Sequence, residues 1–342
     1  MRIKFPNLQK HKLKNEREVI GLDIGSFDIK LIKLNFKDTL TSIADFDIEK
    51  QYSDVARSLK DIVTRKNITG KPVNISLSGP GMVTRYIPFP KMQPEELHNA
   101  LKFEAEKHIP FPVNEVILDG CILKDLDDNK MLVLIVAAKK DVVQRRIDLV
   151  KNAGLEINLI DIDSLALVNS FNNAGVFIKK EEQPKAIALL DIGATVTNLN
   201  ILEDSVPRFS RDINLGGMDL TKKISEKLSI SLTDAEVLKC NPAERLAEIN
   251  TICEPILNNL ITELRLSFDY YESQCACSLE KIYISGGGSL LSGLDNFLNH
   301  MLGIEILHWD PLSNIKVEES VDGKKMRENL NLLTIAMGLG LR

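Results

Sequence analysis

Residues 19–34 read VIGLDIGSFDIKLIKL, an apolar run that ends near Asp23 and resumes after a short polar turn. The turn contains Gly25 and Ser26, and Lys30 lies within the second apolar run. Because glycine and short polar residues favour turns between apolar segments, the pattern predicts two strands joined by a tight connection. The order of carboxylate, glycine and hydroxyl in that connection indicates a role beyond chain reversal.

A second copy of this pattern lies in the other half of the chain. Residues 186–202 read AIALLDIGATVTNLNIL, where Asp191 is followed by Gly193, Ala194 and Thr195. A repeat at about half the chain length favours two similarly folded halves that face each other. For either copy alone, an Asp-x-Gly that merely ends a strand is the simpler interpretation. The matched pair favours a phosphate-binding site between the halves.

Turns of this kind bind phosphate because their backbone N–H groups point at the anion and glycine allows close approach. Ser26 and Thr195 add hydroxyl donors, and Lys30 is placed to reach a phosphate. Asp23 and Asp191 would flank a polyphosphate, where carboxylates commonly hold Mg²⁺ through its water ligands. The sequence contains no GxxxxGK[ST] motif, and its triple glycine lacks the spacing of a dinucleotide fingerprint.

Bulk composition is that of an ordinary globular protein of 342 residues, long enough for two domains. The net charge of -5 gives no reason to expect nucleic-acid binding. The longest purely apolar run, residues 131–138, is far shorter than the roughly 20 residues of a membrane-spanning helix. The five cysteines follow no zinc-binding spacing, so free thiols are expected. The basic residues 1–18 predict a flexible tail, with weak attraction to an anionic membrane as the alternative.

These motifs resemble those of the actin-like ATPase superfamily, whose two halves hold ATP and Mg²⁺ in the cleft between them. The resemblance extends to ISGGGSLL at 284–291, an adenosine motif, and to AEVLK at 235–239, a helix motif that touches ribose and adenine. It implies Mg²⁺ binding, through water, at Asp23 and Asp191. The ATP-binding residues that it implies are Gly25, Ser26, Lys30, Gly193, Ala194, Thr195, Gly216, Gly217, Glu236, Lys239, Gly286, Gly287 and Gly288.

Within the AEVLK motif, Glu236 can accept hydrogen bonds from ribose hydroxyls, and the stem of Lys239 can lie along the base. The alternative for this pair is a solvated contact between neighbouring turns of one helix.

More narrowly, the chain resembles the PilM family of type IV pilus assembly, in the FtsA-like branch of the superfamily. The segments that carry this resemblance are KFEAEKHIPFP at 102–112, LGGMDLTKKI at 215–224 and IAMGLGLR at 335–342. The fold that it implies is an α/β, actin-like (ribonuclease H-like) two-domain ATPase fold with an FtsA-like inserted subdomain 1C. The ending at 340–342, without a membrane helix after it, argues against a division protein.

The resemblance also divides the chain. Domain I (1A) is expected at 19–83 and 157–180, and the inserted subdomain (1C) at 84–156. Domain II (2A) is expected at 185–330 with an inserted 2B at about 220–278, and a C-terminal helix at 331–342 is expected to pack back on domain I.

The resemblance to the PilM family implies a cytoplasmic scaffold that binds ATP and docks the N-terminal cytoplasmic peptide of the membrane protein PilN. PilO, PilB and PilC are further expected members of the complex, and partners would hold the protein at the inner membrane. A small module beside a nucleotide-binding core suits peptide docking. Candidate groove residues are Phe103, Ile109, Pro110 and Phe111, for which core packing is the alternative.

Hydrolysis of ATP needs a residue that orients the attacking water. In the superfamily a Glu or Gln does so on the helix that joins the halves, and Asp163 in IDIDSLALVNSF (160–171) occupies that place. Aspartate is one methylene shorter, so slow turnover is expected, and helix N-capping is the alternative role.

Two alternative functions remain. One is an FtsA- or MreB-like filament-forming or divisome ATPase. The other is a small-molecule kinase, for which the first half offers no persuasive catalytic aspartate.

Overall fold

The computed structural model describes residues 16–50, 54–176 and 185–342. The basic tail, apart from residues 16–18, lies outside this part of the chain. So does most of the charged stretch KKEEQPK at 179–185, for which the composition predicts a linker. Within the described part, no helix is both long and apolar enough to cross a bilayer.

The first sheet has six strands in the order β14-β3-β2-β1-β4-β8. Its central strand β1 pairs antiparallel with β2 and parallel with β4. Residues 20–24 of β1 are all buried, as expected for a strand with both faces covered. The strands are β1 Arg17–Ile24, β2 Asp28–Lys37, β3 Leu40–Lys50, β4 Pro72–Leu77, β8 Glu156–Ile162 and β14 Lys316–Val317.

The second sheet has five strands in the order β11-β10-β9-β12-β13. Its central strand β9 pairs antiparallel with β10 and parallel with β12, as β1 does with β2 and β4. The repeat in the sequence is therefore a repeat of structure, and both copies of the Asp-x-Gly turn follow the central strand of their sheet. The strands are β9 Ala186–Ile192, β10 Thr197–Glu203, β11 Val206–Ile213, β12 Lys281–Ser285 and β13 Glu305–Leu307.

A third sheet of three strands, β5-β7-β6, is inserted between β4 and β8 of the first sheet. Helix α2, Pro94–Ala105, packs on it and begins at Pro94. The Gln93 N–H donates to Glu96 Oε2 at 2.9 Å, which satisfies one of the open N–H groups at the helix start. The strands are β5 Met82–Pro90, β6 Val116–Leu126 and β7 Lys130–Lys139.

Helices cover the sheets and connect the strands. The remaining helices are α1 Val55–Arg65, α3 Lys140–Asn152, α4 Asp163–Ala174, α5 Gly217–Leu228, α6 Leu232–Cys240, α7 Leu246–Cys275, α8 Leu294–Leu302, α9 Gly323–Glu328 and α10 Thr334–Gly340. Helix α10 packs against α4 and β1. A Cβ on Gly338 would lie 1.7 Å from the Ala166 carbonyl oxygen, so the backbones of α10 and α4 meet without room for a side chain.

Two segments pack outside the unit to which the sequence assigned them. Helix α3, predicted as part of the inserted subdomain, buries Val143, Ile147 and Val150 in the core beneath the first sheet. Residues 312–326, predicted in the second half, supply β14 to the first sheet and contribute Leu312 and Met326 to its other core. Both segments are amphipathic, so only the arrangement of the sheets decides which core receives their apolar faces.

Candidate nucleotide-binding site

The two Asp-x-Gly turns face each other across the gap between the sheets. Ser26 Oγ and Thr195 Oγ1 lie 2.9 Å apart. The turns have matching backbone hydrogen bonds: the Gly25 N–H donates to the Asp28 carbonyl at 3.1 Å, and the Gly193 N–H donates to the Val196 carbonyl at 3.0 Å. The sequence repeat thus becomes a pair of equivalent hairpins that meet at their tips.

Beside the hairpins lies a cavity of about 500 Å³, within the usual range of small-molecule sites. All of the predicted nucleotide-binding, metal-binding and catalytic residues line this cavity except Gly216. This residue packs behind the second turn, where an added Cβ would lie 2.6 Å from the Ala194 carbonyl oxygen. The predicted residues that line the cavity are Asp23, Gly25, Ser26, Lys30, Asp163, Asp191, Gly193, Ala194, Thr195, Gly217, Glu236, Lys239, Gly286, Gly287 and Gly288.

Asp23 and Asp191 are the penultimate residues of the central strands of the two sheets, and both are buried. Asp23 pairs with Lys30 at 3.1 Å, while Asp191 accepts hydrogen bonds from Ser285 at 2.8 Å and Thr334 at 3.2 Å. Burial raises the pKa of Asp191, the charge of Asp23 adds to this, and the Ser285 hydroxyl opposes it. Two buried carboxylates in one cavity favour a cation between them.

This pair fits a hydrated Mg²⁺ better than a directly caged ion. The residues that the structure describes contain no group of three or more His, Cys, Asp or Glu side chains placed to hold a metal. Mg²⁺ at nucleotide sites commonly keeps several waters and takes the rest of its ligands from one or two carboxylates and from phosphates. Asp23 and Asp191 suit that mode of binding.

Lys30 lies beneath the first turn. Burial opposes its charge, yet the carboxylates of Asp23 and Asp28 raise its pKa, so the ammonium is retained. Its Nζ would lie 2.9 Å from a Cβ at position 25, and the Asp28 carbonyl oxygen would lie at 3.0 Å. Glycine at position 25 is therefore what allows the lysine to approach the turn from below.

The triple-glycine turn closes another side of the cavity and packs directly on the end of β9. Gly286 has φ of +83°, and a Cβ there would lie 2.4 Å from the Ile192 carbonyl oxygen. A Cβ on Gly288 would lie 2.3 Å from Ile192 Cγ2. The Gly286 N–H donates to the Asn331 carbonyl at 2.8 Å. Side chains are excluded here, so a flat ligand could approach this stretch of backbone closely.

Glu236 and Lys239 form a network with Thr221 rather than a solvated pair. Lys239 is 5% exposed, and its Nζ donates to the Gly217 carbonyl at 3.1 Å, Thr221 Oγ1 at 2.8 Å and Glu236 Oε2 at 2.7 Å. Burial raises the pKa of Glu236, but the hydrogen bonds from Lys239 and Thr221 lower it by more. The lysine thus ties α6 to the start of α5 and holds an ionised carboxylate at the cavity.

Helix α5 begins beside the second turn. Its Gly217 N–H donates to the Gly193 carbonyl at 2.9 Å, and its Met218 N–H donates to the Ala194 carbonyl at 2.8 Å. These donors are used within the protein to hold the turn in place. The positive end of the helix dipole nevertheless faces the cavity, which favours an anion there.

Asp163 lies at the first position of α4, and Ile162 occupies the N-cap position. The capping alternative is therefore wrong. Burial raises the pKa of Asp163 to about 7, with a further contribution from the charge of Asp23, against the hydroxyls of Ser76 and Ser78. A buried carboxyl with a raised pKa that lines the same cavity as Asp23 is a candidate for a functional group.

The cavity also contains residues that the sequence did not predict, among them Asp28, Lys50, Ser78, Arg146 and Asn198. Asp28 belongs to the first turn segment and could have been recognised there. Arg146 comes from α3, where its Nη1 donates to the Ile24 carbonyl at 2.9 Å. No spacing in the sequence links Arg146 to that turn, because the whole inserted sheet separates them.

The predicted peptide-groove residues divide by exposure. Phe103 is 79% exposed and Pro110 is exposed, whereas Ile109 is 8% exposed and belongs to the core of the inserted subdomain. Phe111 is partly buried, with the Lys139 ammonium 4.8 Å from its ring centroid. Ile109 therefore follows the core-packing alternative, and the other three residues remain accessible to a partner.

Two paired halves around a cleft define the class of this protein. The ethanolamine utilization protein EutJ from Carboxydothermus hydrogenoformans has a similar fold, with a TM-score of 0.54, 15% identity and coverage of 97% of this chain and 91% of that one. Cell division protein FtsA from Enterococcus hirae is 20% identical over 353 residues, which cover 85% of this chain and 78% of FtsA. The fold is that of the actin-like ATPases.

A PilM–PilN type IV pilus biogenesis complex gives a stronger likeness, with a TM-score of 0.83, 26% identity and coverage of 97% of this chain and 98% of that chain. The family described as type IV pilus assembly protein PilM matches residues 21–342. This chain belongs to the PilM family.

Proposed function

We propose that this protein is an ATP-binding scaffold of type IV pilus assembly that docks the N-terminal cytoplasmic peptide of a PilN-like membrane protein. The contact between Ser26 and Thr195 carries the nucleotide part of this proposal, because it joins the two hairpins at one cavity. Membership of the PilM family carries the pilus part.

In the proposed complex the two hairpins bind the phosphates of ATP from opposite sides. Ser26, Thr195 and Lys30 supply the side-chain donors, while Asp23 and Asp191 hold Mg²⁺ through water. When bound, Mg²⁺ would neutralise phosphate charge between the two carboxylates. Glu236 would accept from the ribose, and the turn at 286–288 would lie against the base.

Asp163 is the proposed catalytic residue, and turnover is expected to be slow. Its side chain lines the cavity, but aspartate is a short side chain for orienting water beside a phosphate. A carboxyl with a pKa of about 7 is also partly protonated at neutral pH, which weakens it as a hydrogen-bond acceptor for that water. The bound nucleotide would therefore mainly fix the relative position of the two halves.

The PilM–PilN complex supports a PilN-like peptide as the partner. Phe103 lies on α2, Pro110 and Phe111 follow this helix in the chain, and all three are at least partly exposed, so they are the proposed contacts. Through that partner the protein would be held at the cytoplasmic face of the inner membrane, with PilO, PilB and PilC as further members of the assembly. Residues 84–139 would then form the partner-binding subdomain, and residues 185–307 the second nucleotide-binding half.

Calorimetry with Asp191→Asn tests the nucleotide site. Asparagine keeps an oxygen that accepts from Ser285 and Thr334, so the substitution removes the charge and preserves the hydrogen bonds. Wild-type protein should bind ATP more tightly with Mg²⁺ than with EDTA, and the variant should lose that difference. An unchanged Mg²⁺ effect in a folded variant would remove Asp191 from the site.

A pull-down with the N-terminal peptide of a PilN-like protein, with and without ATP, tests the partner. Phe103→Ala should weaken capture of the peptide. Leu40→Ala is the matched control, because Leu40 is 68% exposed but lies on the first sheet, at the turn between β2 and β3. Equal capture by all three proteins would rule out Phe103 as a contact.

The similarity to FtsA supports one alternative function, that of a filament-forming ATPase. Sedimentation in the presence of Mg²⁺ and ATP distinguishes the two functions, since a scaffold should remain in the supernatant and a filament should pellet.

A further inference from the structure

Asp28 is a buried carboxylate at the cavity that the nucleotide site described above does not use. It begins β2 directly after the first hairpin turn and is 9% exposed. Its Oδ1 is shielded from solvent and accepts no hydrogen bond from any residue that the structure describes. Buried polar atoms in folded proteins are nearly always paired, and an unpaired one costs free energy.

The charges around Asp28 do not remove this cost. Burial raises its pKa, the ammonium groups of Lys30 and Lys50 oppose the rise, and the carboxylates of Asp23 and Glu236 add to it. Lys50 lies opposite Asp28 in the register of β2 and β3, but its side chain makes no ion pair with it. Within the described protein, therefore, Asp28 has charged neighbours, but its Oδ1 has no hydrogen-bond donor.

Asp28 and Glu236 come from opposite halves of the molecule and line the same cavity. Glu236 Oε2 is occupied by Lys239 and Thr221, which hold this carboxylate ionised and fixed. Glu236 Oε1 accepts only from the Cys240 thiol, at 3.6 Å, and thiols are weak donors. The site thus presents the unpaired Asp28 Oδ1 and a weakly paired Glu236 Oε1 to a ligand that can donate hydrogen bonds. Phosphate would be repelled by both, whereas neighbouring hydroxyl groups can donate one hydrogen bond to each.

A ribose carries such a pair of neighbouring hydroxyls. Carboxylates recognise ribose hydroxyls in other nucleotide sites for the same reason. Asp28 is two residues from Lys30, the proposed phosphate ligand, and a sugar lies next to the phosphates in a nucleotide. Rotation about the Cβ–Cγ bond can turn either carboxylate oxygen towards the cavity, because this torsion is broad and roughly two-fold.

We propose that Asp28 recognises a ribose hydroxyl of the bound nucleotide, opposite Glu236, and so makes the site selective for ribonucleotides over deoxyribonucleotides. This inference rests on the proposed function, in that it requires ATP in the cavity. The proposal places a residue that determines selectivity for ribonucleotides in the first half of the molecule. This residue is not among those of the phosphate motifs.

The test is calorimetry of the wild-type protein with ATP, 2′-deoxy-ATP and 3′-deoxy-ATP in Mg²⁺. At least one deoxy analogue should bind about tenfold more weakly than ATP, as expected for loss of a hydrogen bond to a charged group. Asp28→Asn and Asp28→Ser should each weaken ATP binding and bring the affinities for ATP and that analogue close together. Because Asp28 is unpaired, Asp28→Asn should also raise the melting temperature of the nucleotide-free protein.

Asp47→Asn is the matched control: Asp47 is a buried aspartate of the neighbouring strand β3, is 7% exposed, pairs with Arg65 and does not line the cavity. It should keep the wild-type preference for ATP.

Equal affinity of wild-type protein for ATP and both analogues would overturn the proposal without needing any variant. A second result would also overturn it: Asp28→Asn could weaken the binding of ATP and of both analogues equally, and only when Mg²⁺ is present. Asp28 would then be a metal-site residue. Failure of wild-type protein to bind ATP at all would instead refute the proposed function.

Discussion

The hydroxyl oxygens of Ser26 and Thr195 lie 2.9 Å apart although the residues are separated by 169 positions in the chain. The two hydroxyls come from neighbouring positions of equivalent hairpins, because Ser26 is one residue after Gly25 whereas Thr195 is two residues after Gly193. The contact therefore measures how closely the halves approach at the proposed phosphate site. It also places two O–H donors where a single phosphate group could accept from both.

Removal of either hydroxyl should weaken ATP binding. Ser26→Ala and Thr195→Ala should each reduce affinity about tenfold, because a hydrogen bond to a charged phosphate is stronger than one to a neutral group. Thr251→Ala is the control, since Thr251 is exposed on α7 and donates only to the Ala247 carbonyl of its own helix. Unchanged calorimetric affinity in both cleft variants would show that the hairpin tips do not contact phosphate.

Asp163 should make stability depend on pH in the absence of nucleotide and Mg²⁺. Its pKa is raised from 3.8 to about 7, so between these values the folded protein holds a proton that the unfolded chain has lost. Stability should then fall as pH rises, by up to about 1.4 kcal/mol per pH unit, and most of the loss should be complete above pH 7.

Asp163→Asn removes this titration. Urea unfolding at pH 5 and at pH 8 should show the variant gaining stability relative to wild-type protein at the higher pH. Asp61→Asn, a change at an exposed position of α1, should show no such gain. An equal difference between wild-type protein and Asp163→Asn at both pH values would contradict the raised pKa.

The ion pair between Arg342 and Asp161 should be a large contributor to folding. Both side chains are almost fully buried, with exposures of 6% and 2%. Arg342→Met should lower the free energy of unfolding by about 3–5 kcal/mol, because it leaves a buried carboxylate without a counter-charge. Adding Asp161→Leu should recover much of the loss, and a double variant as unstable as the single one would contradict this account.

Arg145→Met provides the matched surface comparison for that ion pair. Arg145 pairs with Asp141 on α3, and both side chains are more than half exposed. Its loss should leave the urea midpoint nearly unchanged in the same experiment, because exposed ion pairs contribute little to stability.

Gly338→Ala should destabilise the protein by about 3 kcal/mol or prevent folding. A Cβ at this position would lie 1.7 Å from the Ala166 carbonyl oxygen, so relief requires α10 to move away from α4. Gly323→Ala is the control, because a Cβ there has no atom within 4 Å. Thermal melting compares the two, and equal melting temperatures would show that the helices are less closely packed than described.

Local features of the fold could be predicted because neighbouring residues determine them. Asp23 and Lys30 lie opposite each other in the β1–β2 register, as a short turn between two strands requires. Helix α2 begins at Pro94, since proline has no N–H to leave unsatisfied at that position. The glycines at 286–288 mark a turn, in which Gly286 takes a φ of +83° that side-chain-bearing residues rarely adopt.

Features that depend on distant contacts were not visible in the sequence. Ile109 has the same apolar, proline-flanked surroundings as Phe111, yet it is buried in the core of the inserted subdomain. Arg146 reaches the first turn from a helix that the sequence placed with the insertion. Asp28 belongs to the first turn segment, but only the packed cavity shows that its Oδ1 lacks a hydrogen-bond partner among the described residues.

By itself, the sequence determined the two strand–turn–strand units, the glycine turns and the identity of most side chains at the cavity. These depend on residues close together in the chain, where backbone sterics and apolar periodicity act directly. Only the tertiary structure decided that the two turns meet at Ser26 and Thr195, that α3 and β14 join the first core, and that Arg146 and Asp28 face the same cavity. Such relationships follow from the packing of whole sheets against each other, to which every buried side chain contributes and which no short segment can specify.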